Sequence, residues 1–432
     1  MEDQHIMDEF VIEGGHPLKG TLVPSGNKNA ALPMLAAALL TDQKVVLRNV
    51  PRIDDIRTMV KIISELGVGV EETGQHELTV HARNVGTTDL DPELCRRIRA
   101  SILLAGPLLA RCGQIRLPPP GGDVIGRRRV DTHLMALKSL GAEIRIDCGY
   151  EMKSNGLIGQ EIFLDEASVT ATESALMAAC TARGTTVIKN AASEPHVQEL
   201  ALFLNKLGAK ISNIGMNTLF VEGVDKLHGA EHEVGPDHIE IGSFIGAAAV
   251  TNGEVLIKGG VPSHLTMILL AFERLGIKVD IRGDDVFVPR EQKLRIVTDA
   301  HGVIPRIDDA PWPGFPADLM SIATVVATQC EGTILMFEKM YESRMFFVDK
   351  LASMGAHIIL CDPHRAIVTG PARLHGETLT SPDIRAGMAM LIAALCAEGR
   401  SVIKNIGQID RGYERIDEKL RSLGARIERF RH

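Results

Sequence analysis

The sequence has few aromatic residues and no excess of positive charge. Aromatic side chains make up 4% of the 432 residues, and the formal net charge is −8. Proteins that bind nucleic acid need a basic surface, and many stack bases on aromatic rings. We therefore expect no nucleic-acid partner. A local basic cleft for a small anion remains compatible with this overall charge.

Cysteine spacing also excludes several classes of protein. The seven cysteines contain no CxxC pair, their number is odd, and no Cys/His cluster has the spacing of metal ligands. This pattern is typical of reduced, mostly buried thiols in a cytoplasmic protein. We expect no metal site.

Long hydrophobic runs are missing too. The longest apolar stretch, AALPMLAAALL (30–40), contains Pro33 and is shorter than the ~20 residues of a membrane-spanning helix. The first residues, MEDQHIMDEF, are acidic and lack the apolar centre of a secretory signal. We expect a cytoplasmic protein with no membrane attachment.

The sequence does contain one motif that is repeated six times. Each copy is a β-branched strand, an amphipathic helix that ends in an apolar residue and glycine, and a second strand. The closing glycines recur at steps of 67 to 79 residues, at Gly67, Gly141, Gly208, Gly276, Gly355 and Gly424. This period exceeds the roughly 20–50 residues of common solenoid repeats. It fits a small αβ unit whose closing glycine adopts a positive φ.

Alanine-rich helices between the copies of this motif are expected to be buried, as in NKNAALPMLAAALL and RASILLAGPLLA. We predict an α/β fold, an inside-out α/β barrel of two similar domains with three repeated units each. The turn at Gly235-Pro236 divides a first domain, 25–235, from a second, discontinuous one, 1–24 plus 236–432. The strand FVIEGG (10–15) is expected to pair with the last units. A cleft between two such domains is a preferred ligand site.

Candidate functional residues lie where single copies depart from the repeat. Lys28 follows Ser25-Gly26-Asn27 where a helix starts, a place that favours anions. A solvated lysine near a helix start would produce the same local pattern. No Walker A or dinucleotide-binding fingerprint is present.

The second departure is the loop 118–131, PPPGGDVIGRRRVD. Its prolines, glycine pair and three arginines are typical of a mobile basic loop, and guanidinium groups suit phosphate and carboxylate. An exposed loop with solvated charges is the alternative.

The last departures are PGFPAD, SPDIR and IDRGYER, which contain Asp318, Asp383 and Arg411. Both aspartates stand near the start of an alanine-rich helix, where ordinary capping is an equally good explanation.

The phrases SGNKNAALP, GG-x-x-IG-x-R, PGFP-x-D, D-x-RAG and IDRGYERIDEKL occur in that order. Together they resemble the bacterial enolpyruvyl transferases that act on UDP-N-acetylglucosamine, in the EPSP synthase superfamily, over nearly the whole chain. The resemblance implies transfer of the enolpyruvyl group of phosphoenolpyruvate to the 3-hydroxyl of the sugar, by addition and elimination, at the first committed step of peptidoglycan precursor synthesis. It implies these two small-molecule substrates, no metal or organic cofactor, and a monomer or weak homo-oligomer.

The resemblance also implies roles for particular residues. The catalytic set is Asp318 as general base with Asp123, Lys28, Arg411 and Asp383. The residues expected to bind phosphoenolpyruvate are Lys28, Asn29, Arg128, Arg344, Arg385 and Arg411. Those expected to bind UDP-N-acetylglucosamine are Arg99, Arg128, Arg129, Val130, Asp131, Thr132, Glu166, Ala167, Ser168, Val169, Asp318 and Met340.

The main departure from this family is Asp123. Most members have a loop cysteine there, which donates a proton and is the target of the epoxide antibiotic fosfomycin. We expect Asp123 to donate the proton instead and to make the protein resistant to fosfomycin, because a carboxylate is the poorer nucleophile. Smaller departures are Arg129 for a usual Pro, Ala317 for Thr, Thr170 for Gly and Gln408 for His.

Three alternatives remain open from the sequence. The first is a shikimate-pathway synthase, although its lysine motif reads more like GSKS. The second is a related transferase with another acceptor. The third is a non-catalytic protein that binds a UDP-sugar and regulates a partner, which would not need the phosphoenolpyruvate-binding residues.

Overall fold

The structure is a computed structural model in which residues 8–123 and 125–431 are described. Part of the acidic amino-terminal segment and one position of the loop 118–131 lie outside these residues. None of the helices in the described ranges combines the length and apolarity that a membrane span requires.

The chain divides into two compact units. The unit that contains the amino-terminal strand is called the first unit here, and it comprises the described residues of 8–25, 125–127 and 236–431. The second unit comprises 26–123 and 128–235. The predicted domains were numbered in the opposite order. Each unit has its own hydrophobic core.

The second unit contains seven helices and eleven strands among its described residues. Its helices are α1 (Lys28–Ala37), α2 (Asp54–Glu65), α3 (Pro92–Arg97), α4 (Ala105–Cys112), α5 (Asp131–Ser139), α6 (Val169–Ala179) and α7 (Pro195–Lys206). Numbered after two strands of the first unit, β1 (Glu9–Glu13) and β2 (Lys19–Leu22), its strands are β3 (Lys44–Arg48), β4 (Gly69–Gly74), β5 (Glu77–His81), β6 (Gln114–Leu117), β7 (Glu143–Ile146), β8 (Tyr150–Lys153), β9 (Glu161–Phe163), β10 (Thr185–Lys189), β11 (Lys210–Ser212), β12 (Thr218–Glu222) and β13 (Glu231–Glu233).

The first unit continues the same pattern. Its helices are α8 (His238–Val250), α9 (Thr266–Arg274), α10 (Met320–Thr328), α11 (Val348–Ser353), α12 (Ile384–Cys396), α13 (Gly407–Asp410) and α14 (Ile416–Ser422). Its further strands are β14 (Glu254–Ile257), β15 (Asp280–Arg282), β16 (Asp285–Val288), β17 (Arg306–Asp308), β18 (Gly332–Phe337), β19 (His357–Asp362), β20 (Arg365–Gly370), β21 (Thr378–Thr380), β22 (Arg400–Lys404) and β23 (Arg426–Phe430).

Within the described ranges the strands form six sheets, three in each unit. Five sheets have four strands, in the orders β13-β3-β5-β4, β11-β12-β10-β9, β15-β16-β14-β2, β17-β18-β20-β19 and β21-β22-β1-β23. Each of these joins one parallel pair of strands to two antiparallel pairs, as in β17 parallel to β18, β18 antiparallel to β20, and β20 antiparallel to β19. The sixth sheet, β6-β8-β7, has an isolated parallel bridge from Asp89 to Arg116 where the other sheets have a parallel strand. This architecture confirms the predicted α/β fold of six repeated units.

The closing glycines behave as predicted. All six have φ between 80° and 100°, a range that costs glycine little and other residues more. The strand at 9–13 also pairs as predicted, because β1 lies antiparallel to both β22 and β23, with Phe10 opposite Ile403 and Arg429.

The alanine-rich helices α1, α6, α8, α10 and α12 are almost wholly buried, as expected. The expectation of one helix over RASILLAGPLLA is wrong. A 3-10 turn spans Arg99–Leu104, and α4 begins only at Ala105. Pro107 lies in the first turn of α4, where the missing N–H of proline costs no hydrogen bond, so a helix start just before it is favourable.

Candidate active site

In the second unit, Lys28 begins α1 and is not a solvated lysine. Asn27 caps the helix by accepting a hydrogen bond from the Asn29 N–H. The Lys28 ammonium lies 2.6 Å from the Asp55 carboxylate, and the two side chains are only 10% and 7% exposed. Asp55 was not predicted as the partner of Lys28, because an acidic pair in the first turn of α2 is also explained by the helix dipole. A buried cation at a helix start is well placed for an anionic ligand.

Arg99 fixes the main chain at the end of the basic loop. Its Nη2 donates to the carbonyl oxygens of Arg128 and Arg129, both at 2.8 Å. Arg99 is half-buried, and α5 begins three residues after Arg128. The structure therefore gives the Arg99 guanidinium a positioning contact, and the sequence predicted a substrate contact for it.

Polar side chains connect the start of α5 with the segment before α6. Arg129 forms ion pairs with Asp131 (3.2 Å) and Asp165 (3.1 Å), and the Thr132 hydroxyl donates to Asp165 at 2.7 Å. Sequence reasoning selected residues 166–169 but missed Asp165, which joins the two predicted groups. The only sequence signal for it was its place beside that segment.

The predicted residues 166–169 lead directly into α6. Ser168 caps this helix through the Ala171 N–H, at 3.4 Å, and the Ser168 N–H donates to the Glu166 carbonyl oxygen at 2.7 Å. Thr170, in the first turn, hydrogen-bonds Nε2 of the buried His133 at 2.8 Å. Burial lowers the pKa of His133 to about 3, so its ring is neutral at physiological pH.

In the first unit, three predicted residues meet at one carboxylate. Arg344 Nη1 lies 3.0 Å from one oxygen of Asp318, and Arg385 Nη2 lies 2.9 Å from the other. Asp318 sits in a 3-10 turn just before α10, and its side chain is 29% exposed, whereas both arginine side chains are 6% exposed. Asp318 is therefore not simply a helix cap. It is an accessible carboxylate held by two buried cations.

Both arginines keep donors beyond those that bind Asp318. Arg344 Nε and Arg385 Nη1 are buried and have no hydrogen-bond partner among the described residues. Burial opposes the charged form of each guanidinium, but the negative charges around it, of which Asp318 is the largest contributor, together outweigh burial and raise the pKa of both above the usual range. Two buried, permanently charged donors beside a carboxylate are suited to a phosphate or carboxylate ligand.

Asp383 is a helix cap, as the alternative interpretation proposed. One carboxylate oxygen accepts from the N–H groups of Arg385 and Ala386, at 2.8 and 2.9 Å. The cap orients the first turn of α12, from which the Arg385 side chain extends. The Arg385 guanidinium carbon lies 5.2 Å from the centre of the Tyr413 ring, within the range of a cation–π contact.

The remaining predicted residues have separate environments. Arg411 follows α13 and donates to the Gln408 side chain at 2.9 Å. Met340 is partly exposed, and its N–H donates to Asp309 at 3.3 Å. Asp123 lies half-buried in the second unit.

Sequence reasoning also missed His238, the first residue of α8. It is buried, and its ring centre lies 6.3 Å from that of Trp312, in the segment that leads to Asp318. Burial lowers its pKa to about 4. Its position after Asp237 at a helix start was the one available signal. No grouping of His, Cys, Asp or Glu side chains in the described part of the chain could hold a metal ion.

Comparison with solved structures identifies the fold as that of an enolpyruvyl transferase. The enolpyruvyl transferase NikO from Streptomyces tendae superimposes with a TM-score of 0.87 at 26% identity, over 98% of this chain and 99% of that one. EPSP synthase from Acinetobacter baumannii superimposes with a TM-score of 0.73 at 19% identity, over 98% of this chain and 100% of that one, which shows the shared fold alone.

Residues 12–420 match the family model of EPSP synthase (3-phosphoshikimate 1-carboxyvinyltransferase), and the chain belongs to this family. Among curated proteins, the UDP-N-acetylglucosamine 1-carboxyvinyltransferase of Bradyrhizobium diazoefficiens is 60% identical over 98% of both chains. The protein of the same name from Treponema denticola is 56% identical over 98% of this chain and 99% of its own.

Proposed function

We propose that this chain is an enzyme that transfers the enolpyruvyl group of phosphoenolpyruvate to the 3-hydroxyl of UDP-N-acetylglucosamine and releases phosphate. This is the reaction of peptidoglycan precursor synthesis. Relatives that carry the corresponding name are 50–60% identical to the chain over 98% of its length. A cytoplasmic location is part of the same proposal.

The observation that carries the proposal within this chain is the cluster of Asp318, Arg344 and Arg385. The reaction needs a base for the sugar hydroxyl proton and cations for an anionic substrate. Asp318 supplies an accessible carboxylate, and the two arginines supply charge together with donors not used by Asp318. An anion that binds those donors competes with Asp318 for the guanidinium groups, which favours proton uptake by this carboxylate when substrate is bound.

The other residues take the roles that family resemblance implies. Lys28, Asn29, Arg128 and Arg411 bind phosphoenolpyruvate together with the two arginines. UDP-N-acetylglucosamine is bound through residues 128–132 and 166–169, with Arg99 positioning the first of these segments.

In the proposed addition, the sugar oxygen bonds to C2 of phosphoenolpyruvate, its proton passes to Asp318, and a proton from Asp123 adds to C3. The product of this step is a tetrahedral ketal. In the elimination, C3 returns a proton to the Asp123 carboxylate and the C2–O bond to phosphate breaks, which restores the double bond. The departing phosphate takes up the proton held by Asp318, so both carboxyl groups regain their starting states. Asp383 positions Arg385 and assists proton transfer.

The test is phosphate release from phosphoenolpyruvate by the purified protein. We expect release only with UDP-N-acetylglucosamine, and none with shikimate 3-phosphate in its place. Asp318→Asn should lower kcat by about 10²–10⁴-fold, the usual contribution of a positioned base. Asp349→Asn, at an exposed carboxylate in α11, is the matched control and should leave kcat unchanged. No sugar-dependent release by the unaltered protein would contradict the proposal.

A further inference from the structure

Two buried carboxyl groups lie next to each other in the first unit. Asp309 follows β17 and Glu338 follows β18, and these parallel strands are in register with Asp308 opposite Phe337. Both residues are 0% exposed. Both residues therefore lie at the carboxyl ends of neighbouring parallel strands and are shielded from solvent.

The pair holds the turn that follows β18. Asp309 accepts hydrogen bonds from the backbone N–H groups of Lys339 and Met340, the latter at 3.3 Å. Glu338 Oε1 accepts from the Tyr341 N–H at 3.1 Å. The backbone N–H groups of three consecutive residues, 339–341, therefore donate to these two carboxyl groups. One of the three, Met340, is among the residues expected to bind the nucleotide sugar.

Two adjacent buried carboxyl groups cannot both be ionised at low cost. Burial, together with the hydrogen bond that the protonated Glu338 carboxyl donates to Asp309, raises the pKa of Glu338 to about 9, while the charge of Arg344 opposes the shift. Glu338 is therefore the protonated member at neutral pH. Its second oxygen, Oε2, is buried with no hydrogen-bond partner among the described residues.

The charge state of this pair bears directly on the candidate active site. Arg344 interacts electrostatically with both Asp318 and Glu338. Its Nη1 donates hydrogen bonds to Asp318 and to the Ala317 carbonyl oxygen. With Glu338 neutral, Asp318 is the carboxylate that Arg344 pairs with. An ionised Glu338 would attract the Arg344 guanidinium and weaken that pairing.

We propose that Asp309 and Glu338 form a carboxyl pair that holds a single proton and positions Arg344 and the 339–341 turn for catalysis. Its catalytic consequence rests on the proposed function. Glu338 and Asp309 are fully buried and act through Arg344 and the 339–341 turn, so they are positioning residues.

The pair also makes the site sensitive to alkaline pH, because loss of its proton introduces a second negative charge beside Arg344. The titratable and charged residues that act on or contact Glu338 are Asp309, Arg344, Tyr341 and His364. Lys339 is paired with Asp308, and His364 contacts the backbone carbonyl of Glu338. Arg344 is the cation among these that also contacts Asp318.

Glu338→Gln and Glu338→Ala separate this role from packing alone. Glutamine keeps the shape and can donate to Asp309 as a protonated carboxyl does, but it cannot ionise. We expect kcat of the unaltered enzyme to decline towards pH 9. Glu338→Gln should keep kcat within about threefold at pH 7 and should not show this decline. Glu338→Ala should lower kcat about tenfold or more at every pH. Glu331→Gln, at an exposed site just before β18, is the matched control.

A second measurement needs no activity. The thermal unfolding midpoint of the unaltered protein should fall relative to that of Glu338→Gln as pH rises from 5 to 9, because the folded protein must keep a proton that the unfolded chain loses. Parallel midpoint curves for the two proteins would overturn the proton-holding pair. Equal pH profiles of kcat would overturn its catalytic role. An unaltered protein without activity but with diverging midpoint curves would contradict the proposed function and leave the pair standing.

Discussion

The ammonium of Lys28 lies 2.6 Å from the carboxylate of Asp55, and neither side chain is more than 10% exposed. A buried pair of this kind is costly to break from one side, because the remaining charge has no partner. The same lysine is expected to bind phosphoenolpyruvate. Its structural and ligand-binding roles can be separated by substitution.

Asp55→Asn should lower the free energy of unfolding by about 3–5 kcal/mol, since it leaves the Lys28 charge buried and unpaired. The double variant Lys28→Met/Asp55→Asn should recover much of this loss and still lack activity. Urea unfolding and phosphate release measure the two effects. Full stability of Asp55→Asn would show that Lys28 readily finds another partner.

Asp123 predicts the response to fosfomycin. The unaltered enzyme should show no time-dependent inactivation, because a carboxylate attacks the epoxide more slowly than a thiolate. Asp123→Cys should remain active and become sensitive. Pre-incubation with the antibiotic, followed by dilution into the phosphate-release assay, measures both. Inactivation of the unaltered enzyme would exclude Asp123 as the cause of resistance, and a refractory Asp123→Cys would show that other contacts decide it.

Asp165 should control the affinity for the nucleotide sugar. Asp165→Ala removes the partner of Arg129 and Thr132 and should raise KM for UDP-N-acetylglucosamine about tenfold, equivalent to ~1.4 kcal/mol. KM for phosphoenolpyruvate should change less than twofold. Asp89→Ala, which removes an exposed ion pair with Arg116 in the same unit, is the control. Equal increases in both KM values would indicate general disruption instead.

Two buried histidines should make the fold sensitive to acid. Burial lowers the pKa of His133 to about 3 and that of His238 to about 4, below the usual 6.5. Between these values and 6.5 the unfolded chain binds protons that the folded protein does not, so stability is full above pH 6.5 and falls on acidification. Each histidine should contribute a slope of up to about 1.4 kcal/mol per pH unit.

Measuring the free energy of unfolding from pH 7 to pH 4.5 checks this slope. His238→Gln should reduce it, and His357→Gln, at an exposed position in β19, should not. An unchanged slope in His238→Gln would contradict a neutral, buried imidazole.

Much of the fold follows from local sequence pattern. The closing glycines, the alanine-rich helices and the strand at 9–13 were all predictable, because helix ends, burial and strand pairing leave periodic signals in the residues themselves. The break before α4 was missed, since the pattern of apolar residues outweighed the single Pro107.

The residues of the candidate site could be predicted from the sequence, but the contacts between their side chains could not. The sequence alone determined the repeated αβ units and pointed to Lys28, Asp318 and Arg385 as departures from them. Only the tertiary structure decided that Arg344 and Arg385 share Asp318, that Lys28 is buried against Asp55, and that Asp309 lies beside Glu338. The physical reason is distance along the chain. Helix and strand propensity act over a few residues, whereas these pairs join side chains 26 or more positions apart through the register of parallel strands and the packing of helix starts.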